Sequence, residues 1–373
     1  MSPDGVLAPM AVADRAPRLR EALAAAEVDA LLVTDLTNVR YLTGFTGSAG
    51  RLLVTAEALV LTTDGRYADQ APAQAAAAGV DVEVAVGATL ADQDRTLAAA
   101  VPSGARLGLE AASVTWADLR RYEREPFGSE LVPTEGLVEA ARAVKDVGEI
   151  DRLARAAAIA DAALTEVTPR LLDRPTETEV GLELDFTMRR LGADDVSFET
   201  IVASGPNGAL PHHRPDDRTI VPGDLVVIDF GALVEGYHSD MTRTFTIGDV
   251  DATQRRMYDV VLEAQAAGVA VAGPGVATRD VDAACREVIA AAGWEDAFTH
   301  GTGHGVGLVI HEDPRVGRSS TATLAPGHVV TVEPGVYLVD HGGVRIEDTI
   351  LVTDGGCRPL TLFPKDPTPA APG

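Results

Sequence analysis

The sequence predicts an α/β domain followed by an α+β domain. Short apolar strands alternate with helical segments as far as residue 143, which is the pattern of a layered α/β fold. After Gly192, β-type runs dominate and two helical segments interrupt them, which favours helices packed on a curved antiparallel sheet. A length of 373 residues also suits two domains. We therefore predict domains over 1–143 and 144–366 and a tail over 367–373, within a stretch from Pro364 whose composition predicts disorder.

The predicted elements of the first domain follow from apolar periodicity and turn residues. Two apolar runs separated by a short polar segment predict a β-hairpin, and the Asp64-Gly65 pair after it predicts a turn. Alanine-rich character predicts a helix in the segment that follows this turn. The predicted strands are 30–33, 52–55, 58–62, 82–86 and 106–109, and the predicted helices are 15–27, 67–78, 92–99 and 113–121.

The second domain is predicted to begin with a long helix over 147–167. Asp146 is the expected N-cap, and Glu149 three residues later is its capping-box partner. A second helix is predicted from Glu177, because a Pro-Thr start signal introduces it. Strands are then predicted over 200–203, 225–230, 237–247, 329–332 and 344–351, and helices over 252–267 and 279–292.

The net charge and the cysteine content limit which partners and which cellular compartment we expect. The formal net charge of −25 opposes binding to nucleic acid or to anionic membranes, since both are polyanions. The N-terminus has an acidic residue, Asp4, and no long apolar core, so we expect no signal peptide, and no apolar run is long enough for a membrane span. Cys285 and Cys357 lack metal-ligand spacing and are expected to be structural thiols in a reducing compartment. We predict a cytoplasmic protein that binds neither nucleic acid nor membrane.

Acidic residues next to apolar β-runs are the strongest sign of chemistry. Asp229, Glu333 and Glu347 each follow such a run, and burying a carboxylate there is costly unless a cation or hydrogen bonds compensate. Asp240 lies eleven residues after Asp229, across a predicted hairpin connection. Asp229 then faces Asp240 or Thr242, and in either register the two aspartates point to the same face of the sheet. Carboxylates that close repel each other unless a proton or a metal ion lies between them.

A second hairpin and a glycine-rich loop supply the remaining candidate ligands. Glu333 and Glu347 flank a Gly342-Gly343 turn and could repeat the arrangement of the aspartates. His304 lies in the segment HGTGHGVG, whose glycines allow close approach of the backbone. Taken singly, each residue has an ordinary explanation as a turn former, a strand end or a structural histidine. Together, one imidazole and four carboxylates suit a pair of Mn²⁺, Co²⁺ or Zn²⁺ ions, with Mn²⁺ preferred, and paired ions are a known route to hydrolysis.

The motifs around these residues resemble those of the pita-bread metallopeptidases, a family that includes aminopeptidase P, prolidase, methionine aminopeptidase and the metal-free creatinase. The resemblance extends in order over nearly the whole second domain, and it implies a pita-bread fold and two divalent metal ions. The matching stretches are VVIDFGA (226–232), YHSDMTRTF (237–245), HGTGHGVGLVIHEDP (300–314), TVEPGVY (331–337) and GGVRIEDT (342–349). The implied metal ligands are Asp229, Asp240, His304, Glu333 and Glu347, with Asp240 and Glu347 bridging the two ions.

The same resemblance implies a substrate-binding and catalytic set. His212 matches the family's substrate-binding histidine, and His300 and His311 flank the histidine ligand at the family's spacing, so all three are expected to contact substrate. Arg345 precedes the last ligand and can neutralise nearby carboxylates. The implied catalytic residues are Glu333, His311, His212 and Arg345, whereas the residues expected to be structural or at the surface are His213, His238, His328 and His341.

The implied reaction is hydrolysis of the bond between any first residue and a following proline. Glu333 carries a proton from the attacking water to the proline nitrogen, which leaves as a secondary amine. His311 stabilises the tetrahedral oxyanion and His212 holds the substrate. The preference for proline is implied by the resemblance alone.

The N-terminal motifs narrow the choice of activity. NVRYLTGFTGSAGRLLVT (38–55) and TDGRY (63–67) resemble the N-terminal domain of the proline-specific members, which methionine aminopeptidases normally lack. They look slightly more like aminopeptidase P, so we expect an Xaa-Pro aminopeptidase, with a dipeptide-specific prolidase as the alternative. A metal-free creatinase-like hydrolase and a non-enzymatic partner-binding relative are more distant, because both usually lose metal ligands. The family often forms dimers or larger homo-oligomers, which we expect here as well.

Overall fold

We describe a computed structural model of the chain, which covers residues 6–124, 127 and 129–369. Within these residues the chain divides into two compact units, Pro9–Arg142 and a second unit that starts at Ala143 and also takes in the segment before Pro9. Residues 370–373 of the predicted tail and the first five residues of the predicted first domain lie outside the described residues. No helix in the described part of the chain is long and apolar enough to cross a membrane.

The first unit contains a mixed six-stranded sheet with helices, which confirms the predicted α/β fold. Its strands are β1 (Ala30–Val33), β2 (Arg51–Thr55), β3 (Leu59–Thr63), β4 (Glu83–Val86), β5 (Arg106–Glu110) and β6 (Glu130–Thr134). Its helices are α1 (Arg15–Ala25), α2 (Leu36–Thr43), α3 (Gln70–Ala77), α4 (Leu90–Ala100), α5 (Trp116–Tyr122) and α6 (Leu137–Ala143). The strand order is β4-β3-β2-β1-β5-β6, in which β2 is antiparallel to both neighbours and the other pairs are parallel. Every residue of β1, β2 and β3 is buried, so the apolar runs seen in the sequence form the centre of this sheet.

Three elements of this unit are absent from the sequence prediction. Helix α2 has only eight residues, and its bounds are set by local chemistry: the Asp35 side chain accepts a hydrogen bond from the Asn38 N–H at 3.0 Å, and Gly44 ends the helix with φ of 76°. Strand β6 contains Pro133, which weakens a strand signal, and it lies at the sheet edge where proline is tolerated. Helix α6 has seven residues, too few for a clear apolar period.

The first half of the second unit packs two helices on an antiparallel sheet. Its elements are α7 (Val147–Val167), α8 (Glu177–Arg190), β7 (Asp195–Val196), β8 (Ile201–Ser204), β9 (Leu225–Phe230), β10 (Ala232–Val234), β11 (Tyr237–His238) and β12 (Met241–Thr246). The predicted capping box is present at the start of α7, since the Asp146 side chain accepts from the Glu149 N–H and the Glu149 side chain accepts from the Asp146 N–H. Both helices share one apolar core with the sheet β8-β9-β12, which holds β9 in place.

The second half repeats this plan with a larger sheet. Its elements are α9 (Ala252–Val271), α10 (Thr278–Ala291), β13 (Gly303–Gly305), β14 (Glu312–Val316), β15 (Val329–Val332), β16 (Gly335–Leu338), β17 (Gly342–Arg345), β18 (Asp348–Thr353) and β19 (Gly356–Pro359). The sheet order is β14-β13-β15-β18-β19, and β16 and β17 form a separate hairpin. The apolar faces of α9 and α10 pack with side chains of β15, β16, β17 and β18 in a second core. The two helix-backed antiparallel sheets confirm the predicted α+β second domain.

Two strands that the sequence predicts as continuous are broken next to acidic residues. The predicted strand 237–247 is interrupted between β11 and β12 at Asp240, and the predicted strand 344–351 is interrupted between β17 and β18 at Glu347. At the second break the Glu347 N–H donates to the Thr242 carbonyl at 3.1 Å, so the backbone bonds across to the other half of the unit. Of the two registers left open, the structure has Asp229 opposite Thr242. Each break therefore places a carboxylate at the junction of the two halves.

The segment after Leu360 is held against the second unit, unlike the disordered stretch predicted from Pro364. The Asp161 side chain accepts hydrogen bonds from the N–H groups of Leu362 and Phe363 at 2.8 and 3.0 Å. Farther along, the Lys365 carbonyl accepts from the Tyr258 hydroxyl and the Pro367 carbonyl accepts from the Thr246 N–H. Composition misses this order because the bonds are made by main-chain groups, which every residue supplies.

Candidate active site

The five residues expected to bind metal converge on one cavity of the second unit, which has a volume of about 470 Å³. They come from the ends of separate strands, which the two apolar cores hold in position. Asp229 lies in β9, Asp240 immediately before β12, His304 in β13, Glu333 immediately after β15 and Glu347 immediately before β18. The cavity is also lined by the other predicted site residues, His212, His300, His311 and Arg345. All nine predicted site residues therefore line one cavity, and their roles in binding and catalysis stay predictions.

The five expected ligands lie close together, and some of their oxygens have no hydrogen-bond partner among the described residues, as a site for divalent ions requires. One potential ligand atom from each of Asp240, His304 and Glu347 lies within 4.8 Å of the others. The His304 Nε2 atom is 3.5 Å from an oxygen of Asp240 and 3.4 Å from an oxygen of Glu333. The Oδ1 atom of Asp229 and the Oε1 atom of Glu347 are buried and have no hydrogen-bond partner among the described residues. Buried carboxylate oxygens without partners are costly, and hard cations are their natural counterpart.

The electrostatics of the carboxylates lead to the same conclusion. Burial raises the pKa of Asp240 and Glu347 well above their ordinary values, and the neighbouring carboxylates raise them further. Burial also raises the pKa of Glu333 to about 8, and Asp229 adds to this effect against the opposing charge of Arg345. Protein groups alone therefore disfavour full ionisation of this cluster. Two bound divalent cations would reverse the balance and favour the ionised forms that bind metal.

His304 is prepared for metal binding by its neighbours. Its Nδ1 atom lies 3.0 Å from the Gly305 carbonyl, which fixes the ring and leaves Nε2 facing the carboxylates. Burial lowers the pKa of His304 to about 3, so the ring is neutral, the form that binds metals. A Cβ atom on Gly303 would lie 2.0 Å from the Thr331 carbonyl oxygen, so only glycine allows β13 to approach β15 this closely.

Arg345 and Thr242 hold two of the ligand carboxylates. The Arg345 guanidinium donates to Asp229 at 2.6 Å, to the Tyr337 hydroxyl at 2.8 Å and to the Thr242 hydroxyl at 3.1 Å. The Thr242 hydroxyl in turn donates to Glu347 at 2.7 Å. Arg345 thus forms an ion pair with Asp229, an expected metal ligand, and this chain of bonds fixes Asp229 and Glu347 relative to each other.

The histidines in the cavity are not equivalent. His300 is engaged at both nitrogens, with Nδ1 2.8 Å from the Gly301 carbonyl and Nε2 2.9 Å from the Tyr337 hydroxyl, and burial lowers its pKa to about 4. Both nitrogens of His300 are therefore engaged by the wall of the cavity that it lines, and its contact with substrate stays a prediction. His212 and His311 are both exposed, and the His311 ring lies 4.3 Å from the His304 ring. These two histidines remain available to a ligand in the cavity.

Three residues of the site are missing from the sequence prediction. Thr242 lies two positions after Asp240, so period-two alternation could have placed it on the same face. Tyr337 ends the stretch TVEPGVY, and Arg315 follows the stretch HGTGHGVGLVIHEDP by one residue. Arg315 lines the cavity and is close enough to His304 and His311 to contribute to the lowering of their pKa. Its signal is weak in sequence, because a single arginine in an exposed strand position is ordinary.

Four carboxylates and a neutral imidazole, gathered where two helix-backed sheets meet, define a metal-dependent hydrolase site. The chain belongs to metallopeptidase family M24, whose family model matches residues 151–354. Residues 15–144 match the creatinase/prolidase N-terminal domain. These matches confirm the predicted two-domain, pita-bread fold, and membership of the family implies divalent metal ions.

Similar proteins cover nearly the whole chain. The uncharacterized peptidase YqhT of Bacillus subtilis (strain 168) is 43% identical over 94% of this chain and 98% of its own length. The solved structure of an Xaa-Pro dipeptidase from Bacillus anthracis has a TM-score of 0.90 and 39% identity, covering 96% of this chain and 99% of that one. The solved structure of an X-Pro aminopeptidase from Thermotoga maritima MSB8 has a TM-score of 0.85 and 34% identity, covering 95% and 99%.

Proposed function

We propose that the protein is an Xaa-Pro dipeptidase, which hydrolyses dipeptides whose second residue is proline and uses two divalent ions, Mn²⁺ being the preferred pair. The observation that carries the proposal is Arg315 in the cavity that holds the metal-ligand set. No described residue forms an ion pair with Arg315, so its charge is available to a ligand. A dipeptide presents a free carboxylate one residue beyond the scissile bond, and an arginine suits that group. The greater similarity to the dipeptidase structure than to the aminopeptidase structure supports this choice.

This proposal replaces the aminopeptidase that the sequence favours, and the N-terminal motifs explain the difference. Within the first unit, the Asn38 side chain donates to Glu110 and Glu139 at 2.7 and 2.6 Å, which joins helix α2 to β5 and α6. The Ser48 and Tyr67 hydroxyls are 2.6 Å apart, and the Tyr67 ring packs edge-on against Phe45. These motif residues stabilise the domain itself. They identify the domain type and do not distinguish a dipeptide from a longer substrate.

The bound ions would supply Lewis acidity and lower the pKa of an attacking water towards neutrality. Glu333 takes a proton from this water as its oxygen bonds to the carbonyl carbon, and delivers the proton to the proline nitrogen as the C–N bond breaks. His311 donates a hydrogen bond to the oxygen that becomes negative. His212 binds the substrate, and the carboxylates around the ions attract its ammonium group. Arg345 donates a hydrogen bond to Asp229 and holds its carboxylate in place.

The proposal is tested by comparing three substrates: an Xaa-Pro dipeptide, its C-terminal amide and an Xaa-Pro-Yaa tripeptide. We expect kcat/KM for the dipeptide to exceed that for the amide by about tenfold or more, the scale of one charge-assisted hydrogen bond. Arg315→Gln should bring this ratio close to one. Arg318→Gln is the matched control, because Arg318 is exposed and lies outside the lining of the cavity, and it should leave the ratio unchanged. Equal or faster cleavage of the tripeptide by the unaltered protein would return the assignment to aminopeptidase.

The remaining proposals concern the compartment, the partners and the oligomeric state. Both cysteines are free, which is consistent with a reducing compartment, and we propose the cytoplasm. The acidic net charge supports the absence of nucleic-acid and membrane partners. A homodimer or larger homo-oligomer is proposed from the family resemblance.

A further inference from the structure

Glu177, the first residue of α8, is completely buried and is the centre of a hydrogen-bond cluster outside the metal site. Its carboxylate accepts from the Ser204 N–H at 2.7 Å, the Ser204 hydroxyl at 2.6 Å and the Asn207 amide at 3.1 Å. It also accepts from the Asp216 N–H at 3.3 Å and pairs with the His213 Nε2 atom at 2.8 Å. Every one of these donors belongs to residues 204–216, the last residue of β8 and the connection that follows it, which we call the loop 204–216. The carboxylate therefore organises a whole loop from within.

Neither helix capping nor an additional metal ion accounts for this cluster. The N-terminus of α8 already has a capping box formed by Thr176 and Glu179, so the helix does not need the Glu177 carboxylate as a cap. His213 and Asp216 lie close enough to Glu177 to suggest a metal ligand set. However, hydrogen-bond donors already satisfy both oxygens of Glu177, so no cation is needed to compensate its burial.

The loop organised by Glu177 carries His212 into the active-site cavity. His212 lies between two anchored residues: the Pro211 carbonyl accepts from Arg345 at 3.3 Å, and His213 binds Glu177. Arg345 is the same residue that holds Asp229. The backbone on one side of His212 is thus tied to the metal site, and the backbone on the other side is tied to α8.

A close backbone contact closes the same loop against the β16–β17 hairpin. A Cβ atom on Gly343 would lie 1.9 Å from the Gly208 carbonyl oxygen, so only glycine permits this approach. The loop is therefore fixed at Gly208, at Pro211 and at Glu177. His212 itself remains exposed to the cavity, so its orientation depends on these anchors.

We propose that Glu177 and His213 are positioning residues that act through His212, by holding the loop 204–216 so that the His212 ring meets the substrate. This inference deepens the proposed function and rests on His212 binding the substrate. His213, which the sequence prediction treats as a bystander, acquires a defined role, because its Nε2–H donates to Glu177. The cluster explains why a fully buried carboxylate is used here, since two oxygens can accept from donors along the entire loop.

The test is a double-mutant cycle on an Xaa-Pro dipeptide with the metal-loaded protein. Glu177→Gln replaces one accepting oxygen by an amide that faces other donors, so the loop loses its centre. We expect KM to rise about tenfold, the scale of one charge-assisted hydrogen bond to substrate, with kcat and bound metal little changed. His212→Ala should raise KM similarly, and the two changes combined should cost no more than His212→Ala alone. Glu179→Gln, two residues along the same helix and in the capping box, is the control and should leave KM unchanged.

A second pair of variants keeps the test decisive if Glu177→Gln fails to fold. His213→Gln retains a side-chain N–H that can reach Glu177, whereas His213→Leu removes it, so the proposal expects near-normal KM in the first and a raised KM in the second. Multiplicative effects of Glu177→Gln and His212→Ala on KM would overturn the positioning role while leaving the dipeptidase assignment intact. A raised KM in Glu177→Gln with no change in His212→Ala would also overturn it. If the unaltered protein does not cleave Xaa-Pro dipeptides, that result would instead contradict the proposed function.

Discussion

At the scale of single residues, the cavity contains buried carboxyl groups whose pKa values are raised, so protein groups alone disfavour their ionised forms. Asp240 and Glu347 have pKa values raised by burial and by neighbouring carboxylates. Asp229 and Glu347 each have a buried oxygen without a hydrogen bond among the described residues. In the sequence, Asp229 and Glu347 follow apolar runs, where burial of a carboxylate is costly, and the spacing from Asp229 places Asp240 on the same face of the sheet. The sequence could not show that Thr242 donates to Glu347 or that Arg345 donates to Asp229, because those contacts depend on where two distant strands meet.

Glu333 is expected to be the proton carrier, and a conservative change tests this role. Glu333→Gln preserves the size of the side chain and removes its basicity, so we predict a fall in kcat of at least about 100-fold, the usual scale for a general base. The measurement is kcat on an Xaa-Pro dipeptide, with metal content determined in parallel because Glu333 is also an expected ligand. A variant that retains both ions and nearly full kcat would remove Glu333 from the proposed reaction.

The raised pKa of Glu333 also predicts how the metal-free protein responds to pH. Its folded-state pKa of about 8 lies above the ordinary value of 4.5, so between these values the folded protein holds a proton that the unfolded chain has released. Stability of the metal-free protein should therefore fall as pH rises from about 4.5 to about 8. Thermal unfolding across this range measures the effect. Glu333→Gln or added Mn²⁺ should reduce the slope, and an unchanged slope in both cases would contradict the assigned titration.

At the scale of elements, two of the expected metal ligands, Asp240 and Glu347, lie where a predicted strand is interrupted. The apolar runs predicted β9, which contains Asp229, and β15, which ends just before Glu333, with their correct bounds, because burial on both faces leaves a continuous apolar signal. The predictions of continuous strands through Asp240 and Glu347 were wrong, because the backbone at both positions bonds to the other half of the unit. The Glu347 N–H donates to the Thr242 carbonyl, and the Asp240 carbonyl accepts from the Thr349 hydroxyl. Hydrogen bonds between segments so far apart in the chain cannot be predicted from the residues next to each break.

The element junction at Glu347 depends on a buried ion pair whose loss should be costly. Arg243 is almost completely buried, donates to Asp348 at 2.9 Å and to the Phe363 carbonyl at 2.7 Å, and also bonds to the Glu347 carbonyl. Arg243→Met would leave Asp348 with fewer partners, and we predict a loss of about 3–5 kcal/mol in the free energy of unfolding. Denaturant unfolding of the metal-free protein measures it. Arg190→Met, which removes an exposed pair with Glu166, should cost at most about 1 kcal/mol, and equal losses would contradict the argument.

At the scale of the whole molecule, the sequence predicted two domains and the composition of the site, but it favoured the less well supported of two activities. The fold and the ligand set give strong signals in the sequence, because they require apolar runs, glycines at close contacts and buried acids in a fixed order. Under the proposed function, substrate length depends on one exposed arginine, Arg315, and a single such residue gives only a weak signal in the sequence. The N-terminal motifs could not decide it, because Asn38 and Tyr67 serve the internal structure of their own unit.

The most direct test of the account is the rate of hydrolysis of an Xaa-Pro dipeptide by chelated protein as Mn²⁺ is titrated back. The five ligands and their unpaired oxygens predict no activity after chelation and a recovery that is complete when two ions are bound per chain. Asp240→Ala, which removes an expected bridging ligand, should prevent this recovery. Full activity after exhaustive chelation, with the absence of bound metal verified, would contradict the central claim that the carboxylate cluster acts through metal ions.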